Sequence, residues 1–415
     1  MRVLSVILLG IFVSVHGAQQ VSLESYASGF DSIPIAVVKF SGTGALPSGD
    51  EPWRVIADDL AFSARFEVSR PLGADTAALH AANIGIYIDG AYSISGDQIT
   101  FDCMLRDART KAQLLGKQFK GDAGQLRPMA HRFANRVLES LSGDKGYFES
   151  SIVFVRDEGQ VKNLWAADFD GHRARQITRT KTVNIFPACI DASTILWVSY
   201  GRNKPDIVHG SLSGGNGSVI FKSRYVETSP DVSRIDGSIA FASSRSGSFD
   251  IYTSGIDGQN LKRLTFDKAI STAPCWSPNG YQIAYTSDHT GQPQIFVMDA
   301  DGANVRRLTY DGTYQDSPAW SPRGDRIAYS SLRGGKFDIW TINTDGSGVF
   351  QVTSLGGHNE YPVWSPDGQQ IMFFNRIGAK NDIYVVKADG SKLKRVTTFG
   401  NAKMPCWMVP PASVQ

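Results

Sequence analysis

From about residue 147 onward, apolar residues come in runs of three to five, separated by clusters of Gly, Asp, Asn and Ser. Runs this short, bounded by turn formers, spell strand–turn–strand and are too brief for helices. The clearest unit reads Pro318-Ala-Trp-Ser-Pro-Arg-Gly-Asp325, then Ile327-Ala-Tyr-Ser330, Phe337-Asp-Ile-Trp340, Thr344-Asp-Gly346 and Phe350-Gln-Val-Thr353. Its first phrase recurs at Pro187, Pro230, Pro274, Pro318, Pro362 and Pro405, with gaps of 43, 44, 44, 44 and 43 residues. A period of about 40–45 residues with this grammar is that of a four-stranded propeller blade. The pairs Asp257-Gly258, Asp301-Gly302, Asp345-Gly346 and Asp389-Gly390 keep the same period, each where a tight hairpin needs positive φ.

The ends of the repeat region predict closure. The first segment has Ile152 to Val155, Asn163-Leu164-Trp165, Asp170-Gly171 and Ile177-Thr178, but no proline phrase before them. The last phrase, Pro405-Cys406-Trp407, has nothing after it. One blade is thus split between the two ends, and completing it hides both open sheet edges. Five whole units and one split unit make a ring of six.

Residues 19 to about 146 lack the period. A buried-strand run at 33–40 is followed by a helix that opens at Pro52 and carries Trp53, Ile56 and Leu60 on one face. Runs at 84–88, 99–105 and 112–119 predict a meander; in the middle one Ile99, Phe101, Cys103 and Leu105 alternate with polar residues. A last helix carries Met129, Phe133, Val137 and Leu141 as one stripe, which docks on the sheet. The predicted fold is an all-β six-bladed propeller preceded by a small α/β domain. Its expected divisions are a signal peptide at 1–18, the N-terminal domain at 19–146, the propeller at 147–410 and a tail at 411–415. The signal reading rests on Arg2, the apolar run from Val3 to Val15 and the small residues Gly17 and Ala18.

Composition narrows the function. A net charge of +2 without a long basic run argues against nucleic-acid binding. The four cysteines show no metal-ligand spacing; they are expected as buried thiols, with a Cys189–Cys406 bridge as the alternative. Asp58 and Asp59 are expected on a solvated surface. Trp276, Trp320, Trp364 and Trp407 read as packing between blades rather than as a ligand cage, and the Asp-Gly pairs as turns rather than calcium loops. Nucleophile-elbow, zincin, P-loop and dinucleotide motifs are all missing. No catalytic, metal or cofactor residue is assigned. The expectation is a binding protein, not an enzyme, the alternative being an exported propeller that binds cell-wall glycan or acts as a channel-site hydrolase or lyase.

The residues before each proline connect one blade to the next and are expected as six loops ringing one face. Glu227, Thr228, Ile270, Thr272, Tyr314, Asp316, His358 and Glu360 are the candidate contacts there, since their side chains vary where the framework repeats.

An Ile-Pro-Ile-Ala-Val-Val first strand, a helix with Ile56-Ala-Asp-Asp-Leu60, a Gly-Asp-Lys-Gly linker and six Trp-Ser-Pro-Asp-Gly-type repeats follow one another in this order. That order resembles the TolB family across essentially the whole mature chain. The resemblance implies a periplasmic, monomeric component of the Tol–Pal envelope system of Gram-negative bacteria. It implies binding of the lipoprotein Pal at one propeller mouth and of TolA through the N-terminal peptide, in support of outer-membrane integrity and constriction at division. Other outer-membrane lipoproteins or porins are further candidate partners. Residues Gln19 to Phe30 do not match the family's peptide closely; Val21, Leu23 and Tyr26 are the positions to which the TolA contact carries over.

Overall fold

A computed structural model describes residues 32–46, 51–63, 65–70, 73, 75–201 and 204–408. The expected signal peptide, the 411–415 tail and Val21, Leu23 and Tyr26 lie outside these residues.

The N-terminal part is a mixed sheet covered by helices. Ile33–Val37 lies between two parallel neighbours, Phe66–Ser69 and Ile86–Ser95. Gln98–Asp107 and Gln113–Asp122 continue the sheet as long antiparallel hairpins. Helix α1 (Pro52–Phe62) begins with a proline, whose missing N–H costs nothing in a first turn. Helix α3 (Leu126–Ser142) stops at Gly143, whose φ of 71° is the left-handed cap that glycine adopts without strain. Between them lie the strand Phe66–Ser69 and the short helix α2 (Thr76–Ala81). Neither follows from the sequence pattern: four residues with one Glu make a weak strand signal, and Leu79 is the lone buried side chain of α2.

The architecture beyond residue 150 is the six-bladed propeller that the repeat predicts, as six four-stranded antiparallel sheets. Blade 1 is the split one: Ala402–Met408 forms its innermost strand and pairs with Ser151–Glu158. Blades 2 to 6 open with the innermost strands Asn184–Cys189, Glu227–Val232, Ser271–Trp276, Tyr314–Trp320 and His358–Trp364. The Asp-Gly pairs are turns: Asp257 and Asp301 each accept a backbone N–H two residues on, at 3.0 and 2.9 Å.

Every innermost strand carries the same irregularity. Its pairing register shifts at the proline phrase. The residue before the proline is left-handed: Phe186, Ser229, Ala273, Ser317, Tyr361 and Met404 have φ between 48° and 56°. Proline has no N–H to give to a ladder, so a strand tolerates it at a bulge on an edge. A non-glycine residue held left-handed costs of order 1–3 kcal/mol. Six such residues survive because the hydrogen bonds on either side of each bulge fix them.

The structure corrects two expectations. Cys189 and Cys406 are joined as a disulfide with Cα atoms 6.1 Å apart, while Cys103 and Cys275 are free thiols. The bond ties the closing strand of blade 1 to its neighbour in blade 2, because ring closure makes these two strands adjacent. Asp59 is not solvated; it is 1 % exposed, whereas Asp58 pairs with Arg70 at the surface. The tryptophans serve packing: Trp364 Nε1 donates to the Ala319 carbonyl of blade 5 (2.9 Å), and Trp407 Nε1 donates to Ser150 Oγ (2.8 Å).

Asp59 belongs to the joint between the two parts. One apolar core runs from the N-terminal sheet through Phe62, Tyr147, Phe148 and Phe169 to Trp407. Phe62 meets Phe169 edge-on at 5.0 Å and Trp407 at 6.3 Å. Inside this core, His131 Nδ1 of α3 lies 2.7 Å from Asp59 Oδ2 of α1, and Arg127 of α3 donates to Asp170 on a turn of blade 1. The joint covers the face on which innermost strands end, since Gln370 donates to the Phe62 carbonyl and Lys392 to that of Phe66. The face on which they begin, the mouth face, points away from it.

Candidate partner-binding surface

On the mouth face, strand alternation sorts the residues before each proline into three rings. Three residues before the proline stand Asn184, Glu227, Ser271, Gln315, Asn359 and Ala402, all 1 % exposed or less. Two before it stand Ile185, Thr228, Thr272, Asp316, Glu360 and Lys403, all half-buried, of which Thr228, Thr272 and Asp316 line the channel. Four before it the side chains reach outward, with Ile270 49 % and Tyr314 38 % exposed. Successive strand residues point to opposite sides, and this separates neighbours that look equivalent in sequence.

The expectation that all eight candidates sit on exposed loops is therefore corrected: all but Ile270 lie on innermost strands. Glu227 is wholly buried, accepting from Ser223 Oγ (2.7 Å) and Arg245 (3.0 Å) with Lys204 at 3.6 Å. It holds the crossover into blade 3 rather than facing a partner. The other seven, Thr228, Ile270, Thr272, Tyr314, Asp316, His358 and Glu360, gather on the mouth face.

Tyr314 and His358 are joined through the first residue of the Phe337-Asp-Ile-Trp340 phrase, which the repeat marks as a strand and not as a contact. Phe337 meets Tyr314 edge-on at 5.8 Å and His358 at 6.0 Å, and its N–H lies 3.4 Å from His358 Nδ1. The result is an aromatic strip across blades 5 and 6. The signal in sequence was the Phe at the hairpin of the fifth unit. Burial raises the carboxyls of Asp316 and Glu360 above their ordinary values. For Glu360 the opposing charge is Arg376 at 3.6 Å; Asp316 accepts from Thr286 Oγ1 at 3.0 Å.

The rings surround a central cavity of about 490 Å³ lined by the proline phrases. Phe186 of blade 2 and Tyr361 of blade 6 meet across its mouth with ring centroids 5.8 Å apart. Such a channel can receive a protruding side chain.

At the joint, Asp59, His131 and Asp170 bring three donor atoms within 4.8 Å of one another, the spacing of a metal cluster. The chemistry there is already balanced. Arg127 neutralises Asp170, and Asp59 and His131 share a hydrogen bond. Burial pushes Asp59 up to about 6 despite His131. Burial would lower His131, but the Asp59 charge and hydrogen bond outweigh it and hold the imidazole above its ordinary value.

The TolB beta propeller domain family matches residues 138–410. The Tol-Pal system protein TolB of Desulfosudis oleivorans is 32% identical over 254 residues, covering 56% of this chain and 57% of that protein. A TolB homolog of Chlorobium chlorochromatii is 34% identical over 210 residues, 47% of this chain and 48% of that one. The chain thus spans about half the length of the curated relatives it matches. The crystal structure of TolB from Acinetobacter baumannii superposes with a TM-score of 0.78 and 26% identity, over 92% of this chain and 97% of that one. Six blades closed by the last strand, a mixed-sheet domain joined to them and a family match over the whole propeller lead to one assignment: the chain belongs to the TolB family, whose named members are Tol-Pal system proteins.

Proposed function

We propose that this chain is a periplasmic adaptor of the Tol–Pal system that binds the lipoprotein Pal on its mouth face and TolA through its N-terminal region. In this role it supports outer-membrane integrity and constriction during division. One observation carries the reading. The two ends of the propeller are built from the same repeat, yet one end is occupied by the N-terminal part and the other presents a rim of aromatic, hydroxyl and acidic side chains around a channel. A rim of Tyr, His and half-buried carboxylates on a rigid scaffold has the composition of a partner surface. No helix among the described residues is long and apolar enough to cross a membrane, which fits a role exercised through partners.

The test is calorimetric titration of the mature chain with the periplasmic domain of the same organism's Pal-like lipoprotein. Saturable one-to-one binding is expected. Tyr314→Ala with His358→Ala should weaken it by about tenfold or more, with the melting temperature nearly unchanged. Deleting residues 19–31 should impair TolA binding and spare Pal. Absence of Pal binding at high micromolar concentration would overturn the reading.

A further inference from the structure

The mouth is not symmetric. The six left-handed residues all line the channel, and their sizes divide it in half. Blades 6, 1 and 2 contribute Tyr361, Met404 and Phe186, and two of these rings touch across the opening. Blades 3, 4 and 5 contribute Ser229, Ala273 and Ser317. Bulky side chains narrow one half; small ones leave the other wider.

The opening follows this division. Of the ring of residues two before the prolines, Thr228, Thr272 and Asp316 line the cavity, and all three belong to blades 3 to 5. Charge divides the same way. On the filled side Glu360 faces Arg376 at 3.6 Å, and Lys403 donates to Asp157. On the open side, Asp316 and the deeper Asp231 have no salt-bridge partner among the described residues; Arg234, which also lines the cavity, offsets part of the Asp231 charge and leaves Asp316 as the carboxyl without a nearby cation. Asp316 accepts from a hydroxyl at 3.0 Å and Asp231 from the Trp276 N–H at 2.6 Å. Both line the cavity, and burial raises both carboxyls. A carboxylate in such a place is stabilised by an incoming cation far more than one at a wet surface.

Apolar surface continues the opening outward. Phe266 and Ile270, ahead of blade 4, are 73 % and 49 % exposed; Tyr310 and Tyr314, ahead of blade 5, are 71 % and 38 % exposed. The filled side exposes Tyr200, Ile377 and Phe399, but Phe186 and Tyr361 narrow the mouth beside them and Phe399 already packs against Phe154.

We infer that the protein partner docks off the propeller axis, over blades 3 to 5, and inserts a basic side chain into the open half of the channel beside Asp316. This rests on the adaptor reading and specifies where its partner lies and what chemistry it brings. The matching surface on the partner is a Lys or Arg at the tip of a loop, flanked by apolar residues that cover Ile270 and Tyr314.

The test again titrates the full mature chain with the Pal-like domain. Ala273→Tyr fills the open half. It copies the residue that blade 6 holds at the equivalent left-handed position. Affinity should fall about tenfold or more, while Phe186→Ala, on the filled side, leaves it within about threefold. Asp316→Asn keeps the shape and removes the charge. It should cost about tenfold and flatten the dependence of affinity on salt, and it decides the matter should Ala273→Tyr lower the melting temperature. Wild-type affinity and salt dependence in Asp316→Asn, or a larger loss from Phe186→Ala than from Ala273→Tyr, would overturn the off-axis insertion while leaving the adaptor reading in place. A wild-type chain that does not bind the domain at all removes both.

Discussion

The two ends of the propeller are made by one repeat and behave as different materials. At the joint, repeat side chains interlock with those of the N-terminal part and linker: Trp407 and Phe169 share a dry core with Tyr147 and Phe62, and Arg127 and Asp170 meet within it. At the mouth, side chains outside the repeat stop short of one another on one side and leave a cavity ringed by exposed Tyr, Phe and Ile. The framework that recurs every 43 or 44 residues contributes to both ends alike. What distinguishes them is the departures from it. A repeat supplies position, and its exceptions supply contact.

The strongest way to break this contrast is Trp407→Ala. It empties a core shared by the closing strand and the N-terminal part, and stability should drop by about 3–5 kcal/mol in urea unfolding. Trp276→Ala, in the partly accessible channel wall, should cost clearly less; equal losses would mean that the joint is no better packed than the channel. Next comes Arg127→Ala, which leaves Asp170 buried without its cation. A loss of about 3 kcal/mol is expected, with faster hydrogen exchange in α3 and around residues 168–172. Unchanged exchange would show that apolar contact alone holds the joint.

The disulfide sharpens the comparison from the side, since it ties blade 1 to blade 2 where the ring closes. The bond closes a loop with a sequence separation of 217 residues. Its loss, by reduction or by Cys189→Ala with Cys406→Ala, should cost about 2–4 kcal/mol and lower the melting temperature. A melting temperature indifferent to reductant would mean that strand pairing closes the ring by itself.

The smallest expected effect is a pH dependence confined to the joint. Asp59 rises from 3.8 in its ordinary environment to about 6 in the fold, and His131 rises above 6.5. Both shifts mean that the folded state holds protons more tightly than the unfolded chain. The Asp59 contribution is complete below 3.8 and disappears as pH rises through about 6; that of His131 is complete below 6.5 and fades above it. The two groups titrate as a pair. The melting temperature of the wild-type chain should therefore decline by a few degrees as pH rises from 5 to 8, and Asp59→Asn should flatten that slope. A wild-type profile that climbs over this range would contradict the shared proton at the joint.

Much of the fold was legible because its signals are local. The proline period marks one unit, the Asp-Gly pairs mark its hairpins, and the unmatched phrase at Pro405 announces the split blade. The alternation Ile99, Phe101, Cys103 and Leu105 appears as four buried side chains on one strand. Phe66–Ser69 and α2 escaped because each is too short to show a period of its own. The candidate surface was legible as a region and misread in detail. Glu227 and Thr228 are neighbours in sequence, but one turns into the blade and the other toward the channel. Asp59 looked solvated because a helix alone does not tell what covers it; α3 does.

The sequence by itself determined the ring: the number of blades, the place of each turn and the need to close blade 1 with the final strand all follow from hydrogen bonding between near neighbours and the conformational limits of Pro and Gly. Only the tertiary structure decided what that ring presents. Residues far apart in the sequence, such as Phe62 and Gln370 at the joint or Phe186 and Tyr361 at the mouth, meet only once closure brings distant blades round to each other. Burial, charge pairing and open volume are properties of that meeting, so no local pattern can carry them.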